Sequence, residues 1–183
     1  MVLEKLNDWP SPKTTKYLVI LGIILSIFIF LIMAYFFLLS GFPVSFTESQ
    51  LSFSGSKMKE YYSITDINYY RIVETLDYAY MVGYGTFAFS LALILSRKFE
   101  VGSFWNNSGH LIAILGVIAA CCDATENLFI LLMLTDPTGF PDIWAIIHSS
   151  FALIKMILLC ICIGWAIVAA ITLLITRILG TKR

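Results

Sequence analysis

The sequence has few charged residues: Asp, Glu, Lys and Arg make up 13% of its 183 residues, whereas hydrophobic residues make up 59%. A soluble globular domain is about one quarter charged and about half apolar. This composition and a mean hydropathy of +0.87 therefore exclude a soluble globular domain and indicate a single polytopic membrane domain over residues 1–183. The twelve basic residues are matched by twelve acidic ones, so no basic surplus indicates binding to nucleic acid.

The sequence also lacks the spacings that redox and metal sites use. Its four cysteines lie in apolar runs, as one adjacent pair and one Cys-x-Cys pair, without a Cys-x-x-Cys. We interpret them as reduced core residues, which argues against the small four-span enzymes that relay disulfides to quinones through surface cysteine pairs. His-x-x-x-His and Glu-x-x-His are absent too, so we predict no metal ligands and no cofactor.

Four long hydrophobic runs are present instead. Each is long enough for a helix that crosses a hydrocarbon core of about 30 Å at about 1.5 Å per residue, and the fourth is so long that its helix must tilt or protrude. The first run has no charge and no polar face, so we expect its helix to be the most exposed to lipid. The predicted fold is an all-α bundle of four transmembrane helices. The predicted spans are residues 17–39, 72–95, 110–134 and 143–175.

Residues 41–71 form the one sizeable segment between predicted spans. Ser45 and Glu48 fit the Ser-x-x-Glu pattern of a helix capping box, while the alternation of apolar residues over 44–53 is typical of an edge strand. Both interpretations stay open at this point. We therefore predict a short segment of mixed structure outside the membrane, with a helix from Thr65 onwards.

Lysine and arginine are unevenly distributed between the two ends of the predicted bundle. Eight lie near the termini and at residues 97–98, whereas three lie within residues 41–71. The positive-inside rule then predicts that both termini are cytoplasmic and that residues 41–71 are outside.

Ionisable residues lie inside three of the predicted spans, where they are rare and costly. They recur at three- and four-residue steps, so each set shares one helix face. We estimate the depth of each side chain from the outer end of its span at about 1.5 Å per residue. Asp77, Asp123, Glu126, Asn127, His148 and Lys155 all lie at about 8 to 18 Å, so side chains on the three spans lie at similar depths. We predict a polar seam between spans two, three and four that opens to the outside. Span two has a polar face at its start, formed by Glu74, Asp77, Tyr80 or Met81, and Tyr84. The seam joins Asp77 of this face to Asp123, Glu126 and Asn127 in span three and to His148 and Lys155 in span four.

We assign two roles within this seam. Asp123 and Lys155 lie deepest and at similar depth, so we predict a structural ion pair. Asp123→Asn should then destabilise the protein, and adding Lys155→Met should rescue part of the loss. Glu126→Gln or Asp77→Asn should instead leave folding nearly intact and abolish function. The candidate ligand-binding residues are Asp77, Tyr80, Tyr84, Glu126, Asn127 and His148.

Three carboxylates face one lysine and one histidine in the seam, and such a surplus recruits a cation or a proton. We therefore predict a membrane protein that binds a cation or the amine head group of a lipid. One alternative is a lipid-modifying or isomerising enzyme with a carboxylate and His148 as acid and base, so whether the protein is an enzyme stays open. Another is a structural or scaffolding subunit whose seam only fixes helix packing, through pairs worth roughly 0.6 to 2 kcal/mol. Beyond the lipid bilayer, the sequence leaves a homo-oligomer or a membrane partner open.

The pattern resembles a family of small four-span membrane proteins generally left uncharacterised. The residues that carry the resemblance are Pro43-Val44-Ser45-Phe46 after span one, Leu76-Asp77-Tyr78 in span two, Asp123-x-x-Glu126-Asn127 in span three and Lys155 in span four. The resemblance implies a shared polar site and names no reaction. Claudin-like proteins are similar in topology only, since the paired cysteines of their outer loop are absent here.

Overall fold

The computed structural model describes residues 5–180, and the regular elements within that range are all helices. Four of them, α1, α4, α5 and α6, are each long and apolar enough to cross a membrane. The predicted all-α bundle with four candidate spans is confirmed. In chain order the helices are α1 (Pro12–Ser40), α2 (Phe46–Gln50), α3 (Gly55–Ser63), α4 (Ile67–Ser96), α5 (Phe104–Met133) and α6 (Asp142–Ile178).

The spanning helices extend beyond the hydrophobic runs at several ends. α1 begins at Pro12 because Ser11 caps it, its Oγ accepting a hydrogen bond from Thr14 N at 3.1 Å, and because proline is favoured in a first turn. α6 has 37 residues, so at about 1.5 Å per residue it is much longer than a hydrocarbon core.

α4 is the central helix of the bundle. It packs against α1, α5 and α6, and α5 packs against α6 in turn. α1 and α6 are not packed against each other along their lengths. The bundle therefore has one open side, between α1 and α6.

The expectation that α1 is the most lipid-exposed helix holds only in part. In its most apolar stretch 11% of residues are buried, compared with 39% for α4 and for α5, but α6 also has 11%. The two helices that flank the open side thus share this exposure, because each has close spanning neighbours on only part of its circumference.

Small residues allow α1 and α4 to approach closely. A Cβ atom at Gly22 would lie 2.8 Å from Gly83 O and 2.8 Å from Phe87 N, and one at Gly83 would lie 2.7 Å from Ser26 Oγ. Gly22 and Ser26 are four residues apart, the small-xxx-small spacing that brings membrane helices together.

Gly22→Ala should therefore lower the free energy of unfolding in detergent, by about 1 to 3 kcal/mol, because the added methyl group meets backbone atoms that cannot turn away. Gly164→Ala is the matched control, since a Cβ there meets nothing within 4 Å. Equal stability of the two variants would show that the α1–α4 contact is looser than these distances indicate.

Residues 41–66, which we call the cap, lie over one end of the bundle. α2 begins where Ser45 Oγ accepts a hydrogen bond from Glu48 N at 3.3 Å, so Ser45 caps a helix, as the helical interpretation of this segment required. No strand forms in the described part of the chain, so the edge-strand alternative is wrong and the segment consists of two short helices and irregular connections. α4 follows at Ile67 behind its N-cap Asp66, close to the predicted start.

Aromatic packing and two polar contacts hold the cap on the bundle. Phe42 stacks on Tyr70 of α4 with ring centroids 4.4 Å apart, and Tyr62 packs into the same cluster. Burial and the Glu74 carboxylate raise the pKa of the Tyr62 hydroxyl well above its ordinary value, so that hydroxyl stays protonated. The polar contacts to α6 are Lys59 Nζ to Asp142 Oδ1 at 2.7 Å and Phe53 N to Ser149 Oγ at 3.0 Å.

Candidate functional site

An ion cluster joins α5 and α6 in the interior of the bundle. Lys155 Nζ lies 2.7 Å from Asp123 Oδ1 and 2.6 Å from Glu126 Oε2. The three side chains are 8%, 5% and 0% exposed, respectively. The predicted contact between Asp123 and Lys155 is thus present, but Glu126 shares the same lysine. Asp123 and Glu126 can both reach it because residues three apart lie on one face of α5.

Tyr84 ties α4 to this cluster. Its hydroxyl donates a hydrogen bond to Asp123 Oδ2 at 2.7 Å. Lys155, Asp123, Glu126 and Tyr84, which we call the lysine cluster, therefore connect three of the four spanning helices and carry one more negative than positive formal charge.

A second polar contact joins α4 to α5. Asn127 Nδ2 donates to Asp77 Oδ2 at 2.6 Å, and both residues are buried. Asp77 is not paired with a lysine or arginine in the described chain, so the carboxamide positions this carboxylate without neutralising it.

A cavity of about 600 Å³ lies next to these groups, between the spanning helices. Phe46 and Gln50 of α2 line it at the cap end, and Phe30 and Met33 line it from α1. Apart from the Cys162 thiol, the ionisable and phenolic side chains of its wall lie between the cap end and the level of Tyr84. They are Glu74, Asp77, Tyr80, Tyr84, Asp123 and Lys155.

Glu74 is an acidic residue of this wall to which the sequence analysis assigned neither a ligand-binding nor an architectural role. It is 3% exposed, it lines the cavity, and its Oε1 accepts no hydrogen bond from residues 5–180. The signal was its three-residue spacing from Asp77, which placed it on the polar face of span two. It adds a fourth carboxylate to the three counted from the sequence.

The predicted ligand residues divide into two groups in the structure. Asp77, Tyr80 and Tyr84 line the cavity, together with Asp123 and Lys155, which were predicted as an architectural pair. Glu126, Asn127 and His148 are fully buried and do not belong to its wall. His148 Nδ1 lies 3.9 Å from Glu126 Oε1, and both side chains are fully buried.

The cavity is covered at one end and exposed on one side. α2 covers the cap end, where the sequence predicted an opening to the outside. Phe30 of α1 and Ile163 and Ile167 of α6 belong to the wall and are 51%, 58% and 55% exposed. Access from the cap end therefore passes α2, whereas the gap between α1 and α6 leads directly to the apolar surface of the bundle.

Metal binding gains no support from the side-chain positions. Within residues 5–180, no three His, Cys, Asp or Glu side chains converge on a common point that could hold a metal ion. The four cysteines are free thiols, and Cys162 lines the apolar half of the cavity.

Tyr84→Phe should destabilise the protein by about 1.5 to 3 kcal/mol, because it removes a hydrogen bond to a charged, buried acceptor. The loss would be measured by thermal or chemical unfolding in detergent. Tyr80→Phe is the matched control: Tyr80 lies one turn away on the same cavity wall, and its hydroxyl makes no hydrogen bond within the described chain. A loss as large for Tyr80→Phe would indicate that ring packing, and not the hydroxyl of Tyr84, matters here.

No family model matches this chain, and comparisons with curated proteins and with solved structures found no similar protein either. The resemblance to a family of small four-span proteins is therefore not confirmed, and the function of the site has to be inferred from its geometry.

Proposed function

We propose that this protein is a multi-pass membrane protein that binds a molecule with a cationic amine head group in the cavity. The observation that carries the proposal is Glu74, a buried carboxylate in the cavity wall with an unpartnered oxygen. Asp77 lies one turn away in the same wall, and its Oδ2 accepts a hydrogen bond from the amide of Asn127.

The charges around the cavity do not balance. Lys155 is the one basic side chain among the described lining residues, and it is already shared by Asp123 and Glu126. Glu74 and Asp77 are left without a cation. An isolated carboxylate is costly in a low-dielectric interior, so a bound ammonium group would supply the missing charge.

Aromatic rings next to the carboxylates suit an amine as the cation. Tyr80 and Tyr84 lie with ring centroids 5.4 Å apart and both line the cavity. Tyrosine faces attract ammonium groups, including quaternary ones. A carboxylate pair flanked by tyrosine rings is therefore chemically complementary to a lipid-like amine.

The positions of the other residues favour binding over the two alternatives. The enzyme hypothesis uses His148 as an acid or base, but His148 is fully buried outside the cavity wall. The structural hypothesis accounts for the lysine cluster and for the contact between Asn127 and Asp77, but it leaves the charges of Glu74 and Asp77 without a partner cation.

Thermal unfolding of the full-length protein in a neutral detergent tests the proposal. A ligand that binds only the folded state raises the unfolding midpoint. Dodecylamine should produce a saturable rise, whereas dodecanol, which has the same chain and no charge, should produce a much smaller one. Equal rises with the two compounds would contradict a site that recognises positive charge.

We also propose that the cap is outside and that both termini are cytoplasmic, because of the lysine and arginine distribution. In a variant without native cysteines, single cysteines at Ser56 and Val101 should react with an impermeant maleimide from opposite sides of the membrane. Both positions are exposed at opposite ends of the bundle. Ser56→Cys should react in intact cells and Val101→Cys only after lysis; the reverse pattern would invert the orientation, and labelling of both in intact cells would contradict the four-span topology.

A further inference from the structure

The cavity continues well beyond its carboxylates. Along α4 its wall runs from Glu74 to Ala92, a separation of about 27 Å at 1.5 Å per residue. On α6 it runs from Lys155 to Ile167, about 18 Å by the same rise. A head group at Glu74 and Asp77 would fill only the first part of this space.

The half of the cavity far from the cap is apolar. Its wall contains no charged side chain among the described residues. Residues from three helices form it, and α5 runs antiparallel to α4, so Ile112 lies at this end although Asp123 lies near the cap. The wall here includes Leu91, Ala92, Ile112, Leu159, Ala166 and Ile167.

The volume sets the number of hydrocarbon chains. A methylene group is close in size to a water molecule, whose share of liquid volume is about 30 Å³, and the cavity holds about 600 Å³. It therefore has room for roughly 20 non-hydrogen groups of about 30 Å³. That is enough for one long chain with a small head group.

We infer that the ligand is a single-chain amphiphile with a long alkyl tail and an ammonium head group. The head group lies at Glu74 and Asp77, and the tail follows α4 and α6 towards Ala166. This inference rests on the proposed function and specifies the ligand of the same site.

The open side of the bundle offers a route for such a molecule. α1 and α6 are not packed together along their lengths, and the cavity residues Phe30, Ile163 and Ile167 are exposed there. A tail in the bilayer can pass between these helices without leaving an apolar environment. The head group then moves from the bilayer interface to the carboxylates beneath α2.

A substitution at Ala88 tests the position of the tail. Ala88 lies about 16 Å beyond Asp77 along α4 and lines the cavity. An extended chain advances roughly 1.2 Å per bond, a third of the rise per residue of an extended backbone, so the chain of dodecylamine, about 14 Å long, ends before Ala88 and that of octadecylamine, about 22 Å long, passes it. Ala170→Phe is the control, because Ala170 is exposed on α6 and is not one of the lining residues.

Binding of dodecylamine and octadecylamine to the full-length protein would be measured by native mass spectrometry. We expect Ala88→Phe to weaken octadecylamine binding at least tenfold and to change dodecylamine binding less than twofold. Ala170→Phe should match the wild type for both amines. Ala88→Leu, with the same readout, replaces Ala88→Phe if the larger ring prevents folding.

The possible failures are distinguishable. If Ala88→Phe and Ala88→Leu both bind both amines like the wild type, while dodecylamine is still preferred to dodecanol, the tail position is wrong and the proposed amine site stands. If the wild type does not prefer dodecylamine to dodecanol, the proposed function and this inference both fail. A co-purified lipid with two acyl chains that dodecylamine displaces would overturn the single-chain ligand.

Discussion

Lys155→Met should lower the free energy of unfolding by about 3 to 5 kcal/mol, the cost of leaving buried charges without their partner. The substitution keeps most of the volume of the side chain and removes the ammonium group that lies 2.7 Å from Asp123 and 2.6 Å from Glu126. Two carboxylates that are 5% and 0% exposed then face each other without a cation. Chemical unfolding in mild detergent would measure the loss, and Lys98→Met, at an exposed position beyond α4, is the control.

Because Asp123 and Glu126 share Lys155, the sequence-based prediction that Lys155→Met rescues the stability of Asp123→Asn has to be revised. Asp123→Asn leaves Lys155 paired with Glu126, so its effect should be smaller than that of Lys155→Met. Combining Asp123→Asn with Lys155→Met leaves Glu126 alone, and full rescue requires Glu126→Gln as well. If Asp123→Asn is as destabilising as Lys155→Met, the pair with Glu126 contributes little and the simple two-residue pair is correct.

The structure also changes the prediction for Glu126, which the sequence analysis treated as a ligand-binding residue that folding does not need. It is fully buried, it contacts Lys155, and it does not line the cavity. We therefore expect Glu126→Gln to reduce stability, in contrast to the nearly intact folding that its sequence position suggested.

The double variant Glu74→Gln with Asp77→Asn should lower the affinity for dodecylamine by about 2 to 4 kcal/mol, or roughly 30- to 800-fold. Both side chains keep their size, but the cavity loses the two carboxylates that have no lysine partner. Folding should change by only about 1 kcal/mol, which is the typical worth of a hydrogen bond such as the one that Asn127 donates to Asp77. Titration of the unfolding midpoint with dodecylamine would measure the affinity.

Glu60→Gln is the control for general electrostatic attraction, since Glu60 is exposed on the cap. Dodecanol is the control for the tail, because its weak binding should be the same in the double variant and the wild type. A double variant that binds dodecylamine normally but unfolds more easily would show that Glu74 and Asp77 serve packing, and the proposed amine site would be abandoned.

The sequence by itself determined the number and kind of the spanning elements. Hydrophobic run length predicts helices, because a backbone in hydrocarbon must satisfy its hydrogen bonds within each helix. Spacing also placed Asp123 and Glu126 on one face of α5 and His148 and Lys155 on one face of α6, because a helix repeats every 3.6 residues. The helix starts after Ser45 and Asp66 also depend on local sequence, because each side chain caps the helix that follows it. For the segment after Ser45, however, only the structure decided between a helix and a strand.

The tertiary structure alone decided which polar side chains meet and which reach the cavity. Helical periodicity defines a face, but it does not specify the rotation of one helix against its neighbours or which pair of helices stays apart. Those depend on contacts such as Gly22 against Gly83, which bring α1 to α4 and leave α1 and α6 separated. That arrangement places Glu74 in the cavity wall and His148 behind it, although sequence spacing treated His148 as the better candidate.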